Sequence, residues 1–416
     1  MNKIFLQLNF FAASVLFFLS LCGSAAAEEG CEQAIQVRNQ TVLMFLQGNP
    51  LAAVAALENQ NLHRCDSVRD YAAQMYAAVG DYAAAYAIGG TYNIEHEASC
   101  VARIDSDHAR DGVEAVAAVS TDARIVIVNE IHHIPAHRAY AHILIGQLYE
   151  RGYRYLAIED LTLAAPAIEE RGWLKRSEGA EITEPVFAGF VEHAIRLGYT
   201  LIPYEWMTNQ TPGTGDPIND RERIQAENLV TRTFKKDPEA KVVVYAGQGH
   251  AREDSGAPPL PQKYMAGWLR DLSGYDPVTV SQSACPIIQN ESLPYSFLEV
   301  TDPAESAHDA FDFIIRTNEL PQADNGLPAW FTGIGRSAHS VQPWIDGKLR
   351  NLKTAELLVV EARLPNRSNA AVPFDRVLIR DAAAVRPLAL SPGSYEIVLL
   401  NSDYEILAKT MIATKQ

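Results

Sequence analysis

From about residue 120 the apolar positions come in short runs separated by amphipathic stretches. Ile125–Val128 is an unbroken β-branched run, the mark of a strand buried on both faces. After Pro135, the residues Tyr140, Ile143, Leu144 and Leu148 recur at i, i+3, i+4 and i+8, which predicts a helix closed by Gly152. The alternation continues. Strand Tyr153–Ile158 is followed by helix Pro185–Leu197, closed by Gly198, and by strand Tyr199–Tyr204. Helix Asn219–Lys236, stopped by Pro238, leads to strand Lys241–Ala246, helix Gln262–Leu272 and strand Val278–Ser281. Strands alternating with helices imply right-handed crossovers and a mostly parallel sheet, so the expected class is α/β with flanking helices. Ala310–Ile315 is expected to add an edge strand, and the rest of 285–345 has no decisive pattern.

The two ends read differently. Residues 28–118 are Ala-rich and lack strand-like alternation, predicting a small helical domain. Within it, Phe45–Ala53 and Ala77–Ala85 are alike, each with a Gly-Asn or Gly-Asp turn, and faintly resemble tetratricopeptide hairpins. This segment is read as a disulfide-stapled cap or as a platform for a protein partner. Residues 345–416 hold the short runs Leu357–Val360, Arg376–Ile379, Ser394–Leu400 and Glu405–Ile412, with hairpin chemistry at Asn401-Ser402-Asp403. They predict a small β-sandwich, which leaves 119–344 as the α/β domain.

Composition narrows the class. A chain of 416 residues, 48% hydrophobic and 21% charged, is neither disordered nor a disulfide-dense mini-protein. Its formal charge of −16 argues against nucleic acid and anionic membrane surfaces as partners. Lys3, the apolar stretch Phe10–Leu21 and the small residues Ala25-Ala26-Ala27 predict a secretory signal over 1–27, hence a periplasmic or secreted protein. An uncleaved anchor is the alternative, and a lipid on Cys22 is disfavoured by the bulky Leu21 before it. No later segment reaches the ~18 apolar residues of a spanning helix. Cys31, Cys65, Cys100 and Cys285 remain, an even count that suggests two disulfides with three pairings open.

Four predicted strands run into acid–base or metal-capable residues. The first ends in Asn129-Glu130-Ile131-His132-His133, with His137 following; the second in Glu159-Asp160; the third in Glu205; the fourth in Gly247-Gln248-Gly249-His250. In open α/β sheets the ligand crevice lies at the carboxyl ends of the strands. These segments should therefore converge, and carboxylates with His132 and His250 suit a divalent cation or a water activated by a carboxylate–histidine pair. Taken singly, each residue has a plainer reading: a satisfied histidine, a helix cap for Glu159, a rim carboxylate for Glu205, a mere turn at His250. Arg221 could meet an anionic substrate group, a site carboxylate or solvent. No Gly-x-Ser-x-Gly elbow, phosphate loop, dinucleotide fingerprint or His-Glu-x-x-His helix is present.

Ile125 to His132, with His137 beyond, resembles the Gly-Glu-x-His…His opening of the ChaN-like and erythromycin-esterase-like families. Glu159 resembles their next Glu, and Arg221-Glu222-Arg223-Ile224-Gln225-Ala226-Glu227-Asn228 their Arg-rich helix. Val242–His250 is similar to their Gly-x-x-His strand end, also found in Tiki-type metalloproteases. The likeness covers about 120–285, and Asn129 stands where Gly is usual. It implies an α/β fold with Glu130, His132, Glu159 and His250 as the site and His137 as the second motif histidine. The broad group includes haem- or iron-linked proteins, macrolactone esterases and metal-dependent peptidases.

Three functions are then in view. The first is an exported, metal-dependent hydrolase of an ester or amide in a small molecule or peptide. Here Glu130, His132, Glu159, Glu205 and His250 are catalytic; His132, His250, Glu130 and Glu159 are the candidate metal ligands; and His133, His137, Arg221 and Gln248 bind substrate. The second is a haem- or iron-binding protein using His132, His133, His137 and Tyr245. The third is an interaction protein with a vestigial site.

Overall fold

The computed structural model describes residues 31–58, 66–90, 110–159, 161–207, 210–213, 215–255, 263–285, 288–289, 293–299, 310–319, 326–349 and 357–415. The proposed leader, Cys22, Cys65, Cys100 and Asp160 lie outside them. Cys31 and Cys285 are both disulfide-bonded.

The N-terminal part forms two helical hairpins, α1 (Glu32–Leu46) with α2 (Pro50–Leu57) and α3 (Asp66–Ala78) with α4 (Tyr82–Gly89). The two similar stretches have the same local cause. Gly48 and Gly80 each take a left-handed φ, +80° and +77°. The next residue then caps the following helix: Asn49 accepts from Ala52 N and Asp81 from Ala84 N, both at 3.1 Å.

Next come β1 (Arg110–Asp111), α5 (Gly112–Val119), β2 (Ile125–Glu130), α6 (Pro135–Glu150), β3 (Tyr155–Ile158), α7 (Ala165–Arg171) and a 3₁₀ turn at Glu181–Thr183. They are followed by α8 (Pro185–Leu197), β4 (Thr200–Pro203), α9 (Pro217–Arg232), β5 (Val242–Gly247), α10 (Met265–Ser273), β6 (Val278–Ser281), β7 (Ile288–Gln289), β8 (Tyr295–Glu299) and β9 (Phe313–Glu319). The strands make one sheet in the order β1-β8-β9-β6-β2-β5-β3-β4, with β7 beside β9. It is parallel except where β8 meets β1 and β9. Val126 and Val128 face α6 and α8 on one side, while Ile125 and Ile127 face α9 and α10 on the other. Burial on both faces is why β2 is continuously apolar up to Asn129.

Several boundaries, and the place of one strand, differ from the sequence reading. α9 begins at Pro217, because Asp216 caps it through Ile218 N, and its regular turns end at Arg232. The expected edge strand is β9, which lies inside the sheet between β6 and β8.

The C-terminal part has α11 (Trp330–Gly333), β10 (Ser337–His339), α12 (Gln342–Leu349), β11 (Leu358–Arg363), β12 (Asp375–Ile379), β13 (Leu388–Leu390), β14 (Gly393–Leu400) and β15 (Ile406–Thr414). Four of these strands form an antiparallel sheet in the order β12-β11-β14-β15, and β10 and β13 form a ribbon. Val360, Val377, Ile397 and Leu399 pack toward the ribbon and α12. On the opposite face Val359, Leu378, Val398 and Leu400 join the helical hairpins, together with Ile131 and Ile134 from the loop after β2. One apolar cluster thus links the two ends of the chain to the loop that carries His132.

Candidate functional site

The adjacent strands β2, β5, β3 and β4 all end on one edge, and Glu130 is in register with Gly247. This brings the segments far apart in sequence into contact. The result is two linked clusters, each built on one arginine.

The first centres on Glu130, which is buried at 1% exposure. Arg138 from α6 grips both of its oxygens at 2.8 Å, Tyr245 of β5 donates to Oε2 at 2.6 Å, and His132 Nδ1 lies 2.8 Å from Oε1. Arg138 also reaches Glu181 at 2.8 Å, Glu184 at 3.2 Å and the His132 carbonyl at 2.6 Å. Burial alone would raise the Glu130 carboxyl; Arg138 and His132 overcome it and hold the group well below the usual range. Glu181 goes the other way, pushed up chiefly by burial and by Glu130 and Glu159, against the pull of His132 and Arg138. For His132 burial favours the neutral ring, yet Glu181, Glu130 and Glu159 outweigh it and lift the pKa to about 10.

The second cluster centres on Glu159. Gly247 N donates to its Oε2 at 2.6 Å, Arg221 of α9 holds Oε1 at 2.5 Å, and His250 Nε2 is 3.1 Å from Oε1. Arg221 also grips Glu205 through Nε at 3.1 Å and Nη2 at 2.6 Å, and Gln225 donates to Glu205 at 3.0 Å. His250 Nδ1 meets Glu222 at 2.9 Å, and Glu222 accepts from Met265 N at 2.7 Å. Arg221 Nη1 lies 3.0 Å from His250 Nε2, a contact that calls for a bare nitrogen, whereas Glu159 calls for a protonated one. Burial and Arg221 disfavour the cation, but Glu222 and Glu159 flank the ring and raise its pKa to about 10, so the imidazolium prevails. Glu159 is correspondingly held far below the usual range, burial being outweighed by His250 and Arg221.

Gly247 joins the clusters. A Cβ there would fall 2.8 Å from His132 Nε2 and 3.2 Å from Glu159 Oε2, so these side-chain ends would have to shift to admit one. Between the clusters is a small cleft lined by Glu130, His132, Glu159 and Glu181 together with Ile158, Phe187 and Ala246. His132, with 30% of its side chain exposed, is the histidine open to it.

Among the described residues, the groups spaced to hold a metal are Glu130, His132 and Glu181, whose donor atoms lie within 4.8 Å of one another. Two carboxylates and an imidazole suit Zn, Mn, Co or Fe. Of the expected ligands His132, His250, Glu130 and Glu159, this group contains Glu130 and His132. His250 and Glu159 pair with each other in the second cluster, where His250 also meets Glu222, and the third member of the group is Glu181.

Other expectations also shift. His133 turns from the cleft, its Nε2 2.7 Å from the Gly90 carbonyl beyond α4. His137 is buried; burial lowers its pKa to about 3, so its bare Nδ1 accepts from Ile131 N at 3.1 Å. Gln248 is exposed on the turn after β5. Glu159 caps no helix, because α7 starts only at Ala165. Asn129 sits at a φ outside the left-handed region. Its side chain donates to Gln248 O and to the Ser281 and Ser283 hydroxyls, and accepts from Gln282 N, fastening three strand ends together.

Sequence reasoning missed Arg138, Glu181, Glu184 and Glu222. The available signal was Glu181 and Glu184 three apart before Pro185, where Glu184 caps α8 through Val186 N and Phe187 N.

No family model matches the chain, and no curated protein is similar in sequence. Three similar solved structures illustrate what comparison offers. ChaN of Campylobacter jejuni, described with cofacial heme binding, is 12% identical over 49% of this chain and 91% of its own, with a TM-score of 0.31. A Bacillus cereus protein is 8% identical over 51% of this chain and 95% of its own, TM-score 0.35. The C-terminal region of Pasteurella multocida toxin, described with a thiol-protease-like catalytic triad, is 12% identical over 86% of this chain and 51% of its own, TM-score 0.29. The fit to a ChaN-like fold is loose and assigns no activity. What fold and site themselves define is an α/β protein with a buried Glu/His/Arg site at the carboxyl edge of its sheet.

Proposed function

We propose that this chain is an exported, metal-dependent hydrolase acting on an ester or amide bond. The observation that carries the reading is a charge imbalance at the cleft. Glu130, Glu159, Glu181, Glu184, Glu205 and Glu222 share Arg138, Arg221, His132 and His250 in the network, with Glu184 also drawn to Arg376. Carboxylates outnumber these cations, and Glu181, already pushed toward its protonated form by burial and by Glu130 and Glu159, is the group that a bound divalent cation would compensate. Glu130, His132 and Glu181 would hold it, His132 binding as the neutral imidazole after releasing the proton that its carboxylate neighbours favour. A divalent metal there supplies Lewis-acid polarisation of a carbonyl or activation of water.

The chain's own groups do the rest. Arg138 and Tyr245 fix the Glu130 carboxylate so that its orientation is set before substrate arrives. Arg221 fixes Glu159 and Glu205, and His250, oriented by Glu222, holds Glu159 from its Nε2 side. Ile158, Phe187 and Ala246 give the cleft its apolar lining.

The placement of its expected ligands counts against the haem reading. Tyr245 donates to Glu130, His137 is buried, and His133 bonds Gly90. Export is supported by the leader-like start and by the disulfide-bonded state of Cys31 and Cys285. Among the described residues no helix is long and apolar enough to cross a membrane.

The test is hydrolysis of a panel of activated esters and peptide amides by the purified chain, with and without a chelator. Chelator-sensitive turnover that falls at least ~100-fold in His132→Ala and Glu159→Gln supports the proposal. No turnover in any class, or turnover indifferent to both substitutions, contradicts it.

A further inference from the structure

A second charged cluster lies behind the 3₁₀ turn, and its imbalance has the opposite sign. Glu361 of β11 is fully buried and takes Arg376 Nε on Oε1 at 2.8 Å and Arg363 Nε on Oε2 at 2.7 Å. Arg176 approaches the same carboxylate only to 4.0 Å. Three guanidiniums thus surround one carboxylate. The nearby Asp375 is matched by Arg386, and Glu184, which also attracts Arg376, is bonded to Arg138 and to the start of α8.

The donors of this cluster are not used up. Arg376 has no exposed surface, and its Nη1 donates to the carbonyls of Ala78, at 2.6 Å, and Thr183, at 3.3 Å. Its Nη2 is buried without a partner, as are Arg176 Nη1 and the Tyr404 hydroxyl. The Arg176 guanidinium stands 4.7 Å from the centre of the Tyr404 ring. Tyr404 itself has a φ of +62°, unlike any other non-glycine among the described residues. A left-handed tyrosine costs roughly 1 kcal/mol or more, and that backbone, closed by Tyr404 N to Asn401 O at 3.0 Å, turns the ring inward. Buried donors carrying surplus positive charge are seldom left orphaned; an ion commonly explains them.

We propose that Arg176, Arg376 and Tyr404 form an internal binding site for a small oxyanion of the phosphate or sulfate type. Donors from two guanidiniums and a phenol need an acceptor with several oxygens, which a halide lacks. The surrounding segments come from the helical hairpins, the 3₁₀ turn that carries Glu181, and the C-terminal sheet, so a bound anion ties these parts of the chain together. The site is separate from the cleft and does not depend on the function proposed there.

The experiment uses the full chain purified without phosphate or sulfate. Anion released on denaturation is measured by ion chromatography, and inorganic phosphate and sulfate are titrated calorimetrically at constant ionic strength set with chloride. The expected result is one equivalent of oxyanion, retained or rebound saturably. Binding should weaken at least tenfold in Arg176→Gln and in Tyr404→Phe. Both variants keep the Glu361–Arg376 pair and the tyrosine-site ring, so folding should survive, as circular dichroism would report. No released or rebound oxyanion, binding of chloride alone, or unchanged affinity in both variants overturns the proposal.

Discussion

Arg138 grips Glu130 with a two-pronged hydrogen bond, Nε to Oε2 and Nη2 to Oε1, each at 2.8 Å and both side chains buried. The same guanidinium reaches Glu181, Glu184 and the His132 carbonyl, so one side chain positions most of the first cluster. Arg138→Lys keeps a charge but loses the planar fork. Removing one partner of a buried ion pair typically costs about 3–5 kcal/mol. Urea unfolding of Arg138→Gln should show a loss in that range, with Arg138→Lys recovering only part of it.

Gly247 is the close-approach point between His132 and Glu159. Its backbone is not left-handed, so Gly247→Ala should fold, at a cost of roughly 1–3 kcal/mol from crowding. The added methyl should push His132 aside. Displacements near 1 Å can cost ~100-fold in rate, so turnover should fall by about that factor while circular dichroism stays unchanged.

His142 of α6 and His193 of α8 stack with ring centres 4.1 Å apart and planes 2° from parallel. Burial, each other and the nearby Arg336 and Arg196 hold His142 down to about 2; burial and Arg196 hold His193 down to about 4. A base depressed in the fold binds fewer protons than in the unfolded chain once the pH drops below about 6.5, so stability falls as acid is added. Between pH 6.5 and 5 His142 alone should cost about 2 kcal/mol, and the more exposed His193 less. His142→Phe should flatten the dependence of unfolding free energy on pH in that window. An unchanged slope would refute the assignment.

Asn129 fastens the ends of β2 and β6 to the turn after β5 through bonds to Gln248 O, Ser281, Ser283 and Gln282 N. Asn129→Gly would leave Gln282 N without its buried acceptor, and buried groups stripped of a partner cost about 1–3 kcal/mol each. Thermal unfolding should register a loss of at least that size. Metal content per folded molecule should not change, because Asn129 touches none of Glu130, His132 and Glu181 through its side chain.

The alternating strands and helices were legible because burial on both faces makes β2, β3 and β5 continuously apolar, and because Gly198 and Gly274 close their helices in left-handed turns. The convergence of Glu130, Glu159, Glu205 and His250 followed from the parallel sheet, which sends every crossover strand to the same edge. What stayed hidden were partners supplied by helices and turns. Arg138 and Glu222 sit inside charged or mixed helical stretches that look the same whether they face solvent or a buried carboxylate. Glu181 lies on a single 3₁₀ turn with no hydrophobic period to place it. The ribbon strands β10 and β13, three residues each, are too short for alternation to show.

The most direct measurement is metal content. The chain would be purified without chelators or a metal-binding tag and assayed by mass spectrometry of the elements, beside His132→Ala, Glu181→Ala and the exposed control Gln248→Ala. The account predicts about one equivalent of a divalent transition metal in the unaltered protein and in Gln248→Ala, and its loss from the other two variants. A well-folded protein without metal, unable to take it up on titration, would contradict the account, and so would metal retained in both His132→Ala and Glu181→Ala.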